Sequence, residues 1–441
     1  MSIPHFIQPS HNDDVFSRYL PLGSGYVRPP GRRYCTNNNW YQFESAVNEK
    51  GIPRIAHGQS AGIACDHWCR FAEDIRLMKD LSLNAYRLSV EWSKIEPQEG
   101  VFDDSALEHY VQVVEVLLAN GITPMVTLHH FTDPIWFSEK GGFLREDAPA
   151  MFCRFVEKVV RRLGHVVGLW GTINEPLVYA VNGYVTGEFP PASSDPGKAI
   201  RVLGMMLRTH AEAYRLIKTI APDAQVGLPV NLFVFDPPSP WNPVDIVVAH
   251  LLNANMNLSI LHFLTSGSFT FHLPGVVKET FRGPDGEVFD FIGVNYYTRF
   301  RIRVRGLDHR KIKAVTRHLP GQTTDMGWEI YPHGLSRVLD MVASITSKPV
   351  YITENGIADD SDTKRAAFIA GHIQEMKTAI DRGIDVRGYF YWSLMDNFEW
   401  SHGFDKRFGL YHVDFATQKR TLRPGSEVFR TLIAGWNEHG H

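Results

Sequence analysis

Seven short, nearly uninterrupted apolar runs punctuate this 441-residue chain, and longer helix-like stretches separate them. The runs are NAYRLSVEW (84–92), ITPMVTLHH (122–130), VGLWGTIN (167–174), AQVGLPVNLF (224–233), FDFIGVNYY (289–297), KPVYITEN (348–355) and VRGYFYWSL (386–394). Helical periodicity between them is clear, for example, over 69–81, 148–164, 199–220 and 363–381. A strand that is apolar nearly throughout needs cover on both faces, and helices between strands make the crossovers that parallel pairing requires. The order therefore predicts an α/β fold with a parallel sheet. An eighth run, YCTNNNWYQFES (34–45), is poor as a strand because three asparagines interrupt it. With it, the count predicts a single (β/α)8 TIM barrel whose active site lies at the C-terminal ends of the strands. An open doubly wound sheet is the alternative. No G-x-G-x-x-G or P-loop follows any run, which counts against it.

Residues 1–34, rich in Pro, Gly, Ser and Asn, read as an irregular extension. Residues 35–441 read as one catalytic domain. Stretches near 182–198, 234–245 and 303–327 are expected to be loops on a barrel face. A net charge of -3 with 21% charged residues gives no reason to expect nucleic acid or an anionic membrane as partner. No apolar run is expected to span a membrane. The first residues, MSIPHFIQPSHNDDV, lack the basic start and apolar stretch of a secretory signal. Four cysteines are too few for a disulfide scaffold, so free thiols and a cytoplasmic location are expected. Cys65, His67 and Cys69 suggest a metal, but no second cluster completes four ligands. Packing of the two cysteines at i, i+4 on one helix is the expectation, with no metal and no cofactor. Nothing in the sequence sets an oligomeric state.

Reactive groups of a barrel gather where its strands end. Those ends carry Arg87, Glu91 and Trp92; His129 and His130; Asn174 and Glu175; Asn231; Asn295 and Tyr297; Glu354 and Asn355; Trp392, Asp396, Glu399 and Trp400. Any one of these is ordinary on its own: a surface carboxylate, a core histidine, a packing tryptophan. Together they make a pocket of carboxylates, amides and aromatic rings suited to the hydroxyls and C–H faces of a sugar. Glu175 precedes Pro176, which favours an extended backbone at the strand exit. Glu354 precedes Asn355 and Gly356, which permit a tight turn. Two opposed carboxyls are the machinery of glycoside hydrolysis, provided one holds a proton and the other is ionised.

At these residues the chain resembles glycoside hydrolase family 1, the retaining β-glycosidases. The resemblance runs from about Gln42 onward through ordered landmarks, among them ACDHW (64–68), AYRLSVEWSKIEP (85–97), TINEP (172–176), DFIGVNYYT (290–298), VYITENG (350–356) and WSLMDNFEWSHGFDKRFGLYHVDF (392–415). It implies Glu175 as general acid/base and Glu354 as nucleophile. Arg87 and Tyr297 would hold the nucleophile ionised and oriented, and Asn295 joins this catalytic set. Asn174 would bond the sugar 2-hydroxyl. Gln42, His130, Glu399 and Trp400 would bind the other hydroxyls, Trp392 would underlie the ring, and Trp328 would line the leaving-group side. It also implies a cis peptide between Trp392 and Ser393. Phe408 is also expected among the substrate-binding residues: enzymes of this family that act on 6-phosphorylated sugars resemble one another in carrying Ser and Tyr where this chain has Glu399 and Phe408. Lys406 is present, yet a carboxylate beside a phosphate is repulsive, so an unphosphorylated β-glucoside, β-fucoside or β-galactoside is expected. A transglycosidase with an alcohol or lipid acceptor, and a non-catalytic sugar-binding barrel, are the alternatives.

Overall fold

The structure is a computed structural model that describes residues 35–273, 277–283, 285–304, 312–314 and 322–438. The expected extension over residues 1–34 lies outside the described residues, as does much of the expected loop 303–327. Each of the seven apolar runs is a strand: β1 (Ala85–Ser89), β2 (Thr123–His129), β3 (Leu169–Ile173), β4 (Gln225–Asn231), β5 (Phe291–Asn295), β6 (Val350–Asn355) and β7 (Val386–Tyr391). Each pairs in parallel with the next, from β1 round to β7. The result is a nearly closed TIM barrel. Helices run between strands, including Asp104–Ala119, Ala148–Leu163, Pro196–Ile220, His333–Ala343 and Arg365–Asp381, with His67–Asp80 before β1 and Glu427–Glu438 after β7.

Burial follows position in the sheet. β3, β5 and β6 are buried along their whole length, and β2 is buried after its first residue. A layer of Met125, Leu169, Phe291 and Tyr351, with Phe390 against it, fills the barrel interior. Close strand approach requires glycine at one point of this wall. A Cβ on Gly227 would lie 2.5 Å from both the ring and the carbonyl oxygen of Phe291.

The eighth run does not form a strand. Residues Asn39–Glu44 are a short helix, and Asn38 caps it by accepting from Tyr41 N. The three asparagines that weakened the strand reading are each used. Asn37 Nδ2 donates to Pro97 O, Asn38 is the N-cap, and Asn39 exchanges bonds with Asp133. Such short polar side chains bond locally to backbone in caps and turns better than they serve a strand. Among the described residues, no backbone hydrogen bond joins β1 to β7, and both these strands are only partly buried. A cavity of about 380 Å³ runs down this seam, between Tyr86 and Leu88 on one side and Tyr389 and Phe390 on the other.

Two smaller expectations also change. The helix begins at His67, after a left-handed Asp66, so Cys65 and Cys69 do not share it. Cys65 is half-buried, Cys69 is exposed, and His67 Nδ1 instead meets Asp74 Oδ2 at 2.8 Å. The helical run Pro243–Ser266 is long and apolar enough, by length and composition, to cross a membrane. It is a packing element of this fold. Its Asp245 accepts from Val304 N, Asn257 bonds both N and O of Phe233, and Ile260, Leu261, Phe263 and Leu264 are buried.

Candidate active site

Glu354 is the penultimate residue of β6, where the strand stays buried to its end. Arg87, from β1, sends Nη1 to Glu354 Oε1 at 2.5 Å. Tyr297, just past β5, donates its hydroxyl to Oε2 at 2.7 Å. Both carboxylate oxygens are therefore held by donors, one of them charged. Arg87 is itself fixed from several sides. Its Nε donates to Thr127 Oγ1, and its Nη2 donates to Asn174 Oδ1 at 2.6 Å.

Glu175 lies where β3 hands over to the helix Pro176–Val181. Its backbone is left-handed, φ 44 and ψ 61, not extended as the following proline suggests. The strand partners override that local preference. Asn174 N donates to His129 O on one side, and Glu175 N donates to Pro229 O on the other. Pro176 then suits the first helical position, where no N–H is needed. The side chain is buried, and Oε1 accepts from Asn231 Nδ2 at 2.9 Å and Asn295 Nδ2 at 2.8 Å. Burial, then the charge of Glu354, push its carboxyl up to about 8. Both glutamates are buried, but their surroundings differ: Glu354 accepts from a guanidinium and a phenol, Glu175 from two neutral amides.

Around this pair the residues that the resemblance assigns assemble, with two exceptions. Of the other strand-end residues, Trp92, His129, Asn355 and Asp396 are instead buried in the surrounding packing, Trp92 against Phe137 and Phe155, His129 on Asp133, Asn355 on Tyr296 O and Asp396 on Arg423. Asn174 links both carboxyls, taking bonds from Arg87 and Asn295 and placing Nδ2 against His130 Nε2 at 3.1 Å. His130 Nδ1 meets Ser89 Oγ at 3.1 Å. Its ring faces Trp400 at 5.7 Å and Trp392 at 5.6 Å. Trp392 Nε1 donates to Glu399 Oε2 at 3.4 Å, and the Trp392–Ser393 peptide is cis. Desolvation pushes the Glu399 carboxyl up to about 8. Trp328 lies 5.4 Å from the Tyr297 ring on the other flank.

The first exception is Gln42. It points outward, with Nε2 3.5 Å from Glu139 Oε1 and the side chain exposed. In the helix Asn39–Glu44 the buried residues are Asn39, Trp40 and Phe43, with the two aromatic rings three apart, which leaves Gln42 on the solvent side. The second is Phe408, which is 2% exposed and packs behind Tyr297 and Trp328 rather than lining a surface a sugar could touch. Sequence reading also missed two contributors. Trp40 lies 4.9 Å from Trp400 and anchors its own indole N–H on Phe131 O. Thr353 donates to Asn295 Oδ1 at 2.6 Å and so orients that amide. An aromatic residue beside an asparagine cluster was the signal for Trp40; Thr353 gave none, since a threonine in a strand is ordinary.

Comparison with known proteins settles the family. The model for glycosyl hydrolase family 1 matches residues 37–437. The chain belongs to glycosyl hydrolase family 1. It is 33% identical over 416 residues to a β-glucosidase A of Thermotoga maritima, covering 89% of this chain and 91% of that one. Among solved structures, a β-glycosidase from Pyrococcus horikoshii superposes with TM-score 0.81 at 38% identity, covering 90% of this chain and 89% of that one. The Thermotoga maritima β-glucosidase in complex with deoxynojirimycin gives TM-score 0.81 at 30% identity, with 90% and 92% covered. This family-1 chain is therefore a glycoside hydrolase built on the TIM barrel.

Proposed function

We propose that this enzyme removes a terminal, unphosphorylated β-D-glucosyl residue, or its fucosyl or galactosyl counterpart, by double displacement through a covalent glycosyl-enzyme. One observation carries the reading. Two buried carboxyls stand at opposed strand ends in opposite environments, Glu354 held by Arg87 and Tyr297, and Glu175 pushed up to about 8 by burial and its neighbour's charge. Glu354 attacks the anomeric carbon while Glu175 gives its proton to the departing oxygen. Glu175, now ionised, takes a proton from water, and the hydroxide displaces Glu354 with net retention. Asn174, beside both carboxyls, suits the 2-hydroxyl, and Trp392 with Trp400 and His130 suits the ring. Glu399 and Phe408 stand where the enzymes for 6-phosphorylated sugars carry Ser and Tyr, which supports an unphosphorylated sugar.

The test uses two variants. Glu354→Gly should lose hydrolysis of every β-glycoside and recover part of it with azide or formate, giving an inverted product. Glu175→Ala should lose roughly the 10²–10⁴-fold that acid catalysis supplies on alkyl glycosides, yet keep the first step on a dinitrophenyl glycoside. Equal losses on good and poor leaving groups, with no azide response in either variant, would reverse the assignment. A cytoplasmic site of action is part of the same proposal. None of the four cysteines forms a disulfide, and burial pushes the Cys35 and Cys65 thiols up to about 11. Thiol labelling of the protein in fractionated cells checks it.

A further inference from the structure

Asn231 is absent from the roles that the family resemblance assigns, yet it touches the proton donor directly. It is the last residue of β4, and its register partner across the parallel pair is Asn295, at the end of β5. Equal height on neighbouring strands puts two amides side by side. Both donate to the same oxygen of Glu175, Asn231 Nδ2 at 2.9 Å and Asn295 Nδ2 at 2.8 Å. Among the described residues, no donor reaches Oε2. The backbone of Glu175 is tied to the same strand through Pro229 O.

We propose that Asn231 is a positioning residue that, with Asn295, divides the two oxygens of Glu175: Oε1 is the fixed acceptor, and Oε2 alone carries the proton to the leaving oxygen and later receives one from water. A carboxylate oxygen has two lone-pair sites, and two N–H donors occupy both on Oε1. Protonation there would break a bond, so the proton is directed to Oε2. The same two donors favour the ionised carboxyl over the acid, against the burial that disfavours it. The acid is thereby kept able to lose its proton in the first step and to act as a base in the second. Asn295 cannot report on this cleanly, because Thr353 and Asn174 also bond it. Asn231 makes its contact to Glu175 from a single strand end.

The inference rests on Glu175 being the acid/base, and the experiment separates the two claims. The pH dependence of kcat/KM is measured for an aryl β-glucoside with a poor leaving group, in the parent enzyme, Asn231→Ala and Asn231→Asp. Losing one of two donors should move the basic limb up by about one pH unit in Asn231→Ala. Asn231→Asp, nearly isosteric and able to fold where truncation fails, should move it up further by like charge. The affinity for a neutral sugar-mimic inhibitor should stay within a factor of about three, since Asn231 contacts the carboxyl and not the ring. Basic limbs that coincide with the parent's in both variants would overturn the inference. If Glu175→Ala itself loses equal activity on good and poor leaving groups, the acid/base assignment fails instead.

Discussion

Glu175 combines a displaced protonation equilibrium with a strained backbone, and each has its own consequence. Its carboxyl, raised to about 8, holds the proton that the first step needs up to that pH. The rate kcat/KM should therefore be flat through neutrality and fall as pH climbs past about 8, in a direct assay of initial rates. A basic limb near pH 5 would contradict the burial argument. Glu399 is raised to about 8 as well. Both groups stay protonated in the fold while the unfolded chain ionises them near 4.5. Their contribution to stability is complete below about pH 4.5 and is lost as pH rises through the folded value. Glu399→Gln should flatten the fall in unfolding temperature between pH 5 and 8; an unchanged slope would mean that Glu399 is solvated. The left-handed φ of 44 at Glu175 costs a non-glycine residue about 1 kcal/mol. Glu175→Gly should thus be more stable than Glu175→Ala by about that much in urea unfolding.

Between the barrel wall and the site stands one buried carboxylate, Asp133, that ties three elements together. Its oxygens meet His129 Nε2 of β2 at 2.9 Å, Tyr179 OH of the helix after β3 at 2.6 Å, and Asn39 Nδ2 at 3.1 Å. Asp133→Ala leaves those partners buried and unpaired, and should cost about 3 kcal/mol in denaturant unfolding. It should also loosen Trp40 under Trp400, so the affinity for a sugar-mimic inhibitor should fall with it. Loss of stability with unchanged affinity would confine Asp133 to a structural role. This cluster shows where reading the chain reaches its limit. The seven wall strands were legible because each is an apolar run whose partners are the same for any parallel barrel. The two proposed catalytic glutamates were legible as a pair because both stand at strand ends, and their separate roles came from the family resemblance. Gln42 was misplaced because its direction depends on a helix that Asn38 caps, against the strand expected there. The φ of Glu175 was misjudged because hydrogen bonds to β2 and β4 outweighed the local effect of Pro176. Long-range partners, invisible in a linear pattern, decided both.

At the scale of the whole molecule, β1 and β7 are, among the described residues, the two unpaired edges of the wall, and the proposed site straddles them. Arg87 comes from β1, while Glu354 comes from β6, on the far side of β7. Trp392 follows β7 directly. Among the described residues, the seam is crossed at the top by side chains and not by a backbone ladder. Such a wall behaves like a split ring: stiff where strands share hydrogen bonds, and free to spring at the cut. A sugar held between Trp392 on one lip and His130 and Asn174 beyond the other would act as a clasp. The amides of β1 and β7 should then exchange with deuterium faster than those of β3 and β5 in the free enzyme. A tight sugar mimic should slow exchange at the two lips far more than it slows the opposite wall. Uniform slowing around the ring would mean that the cut carries no spring, and that the wall opens only as a whole.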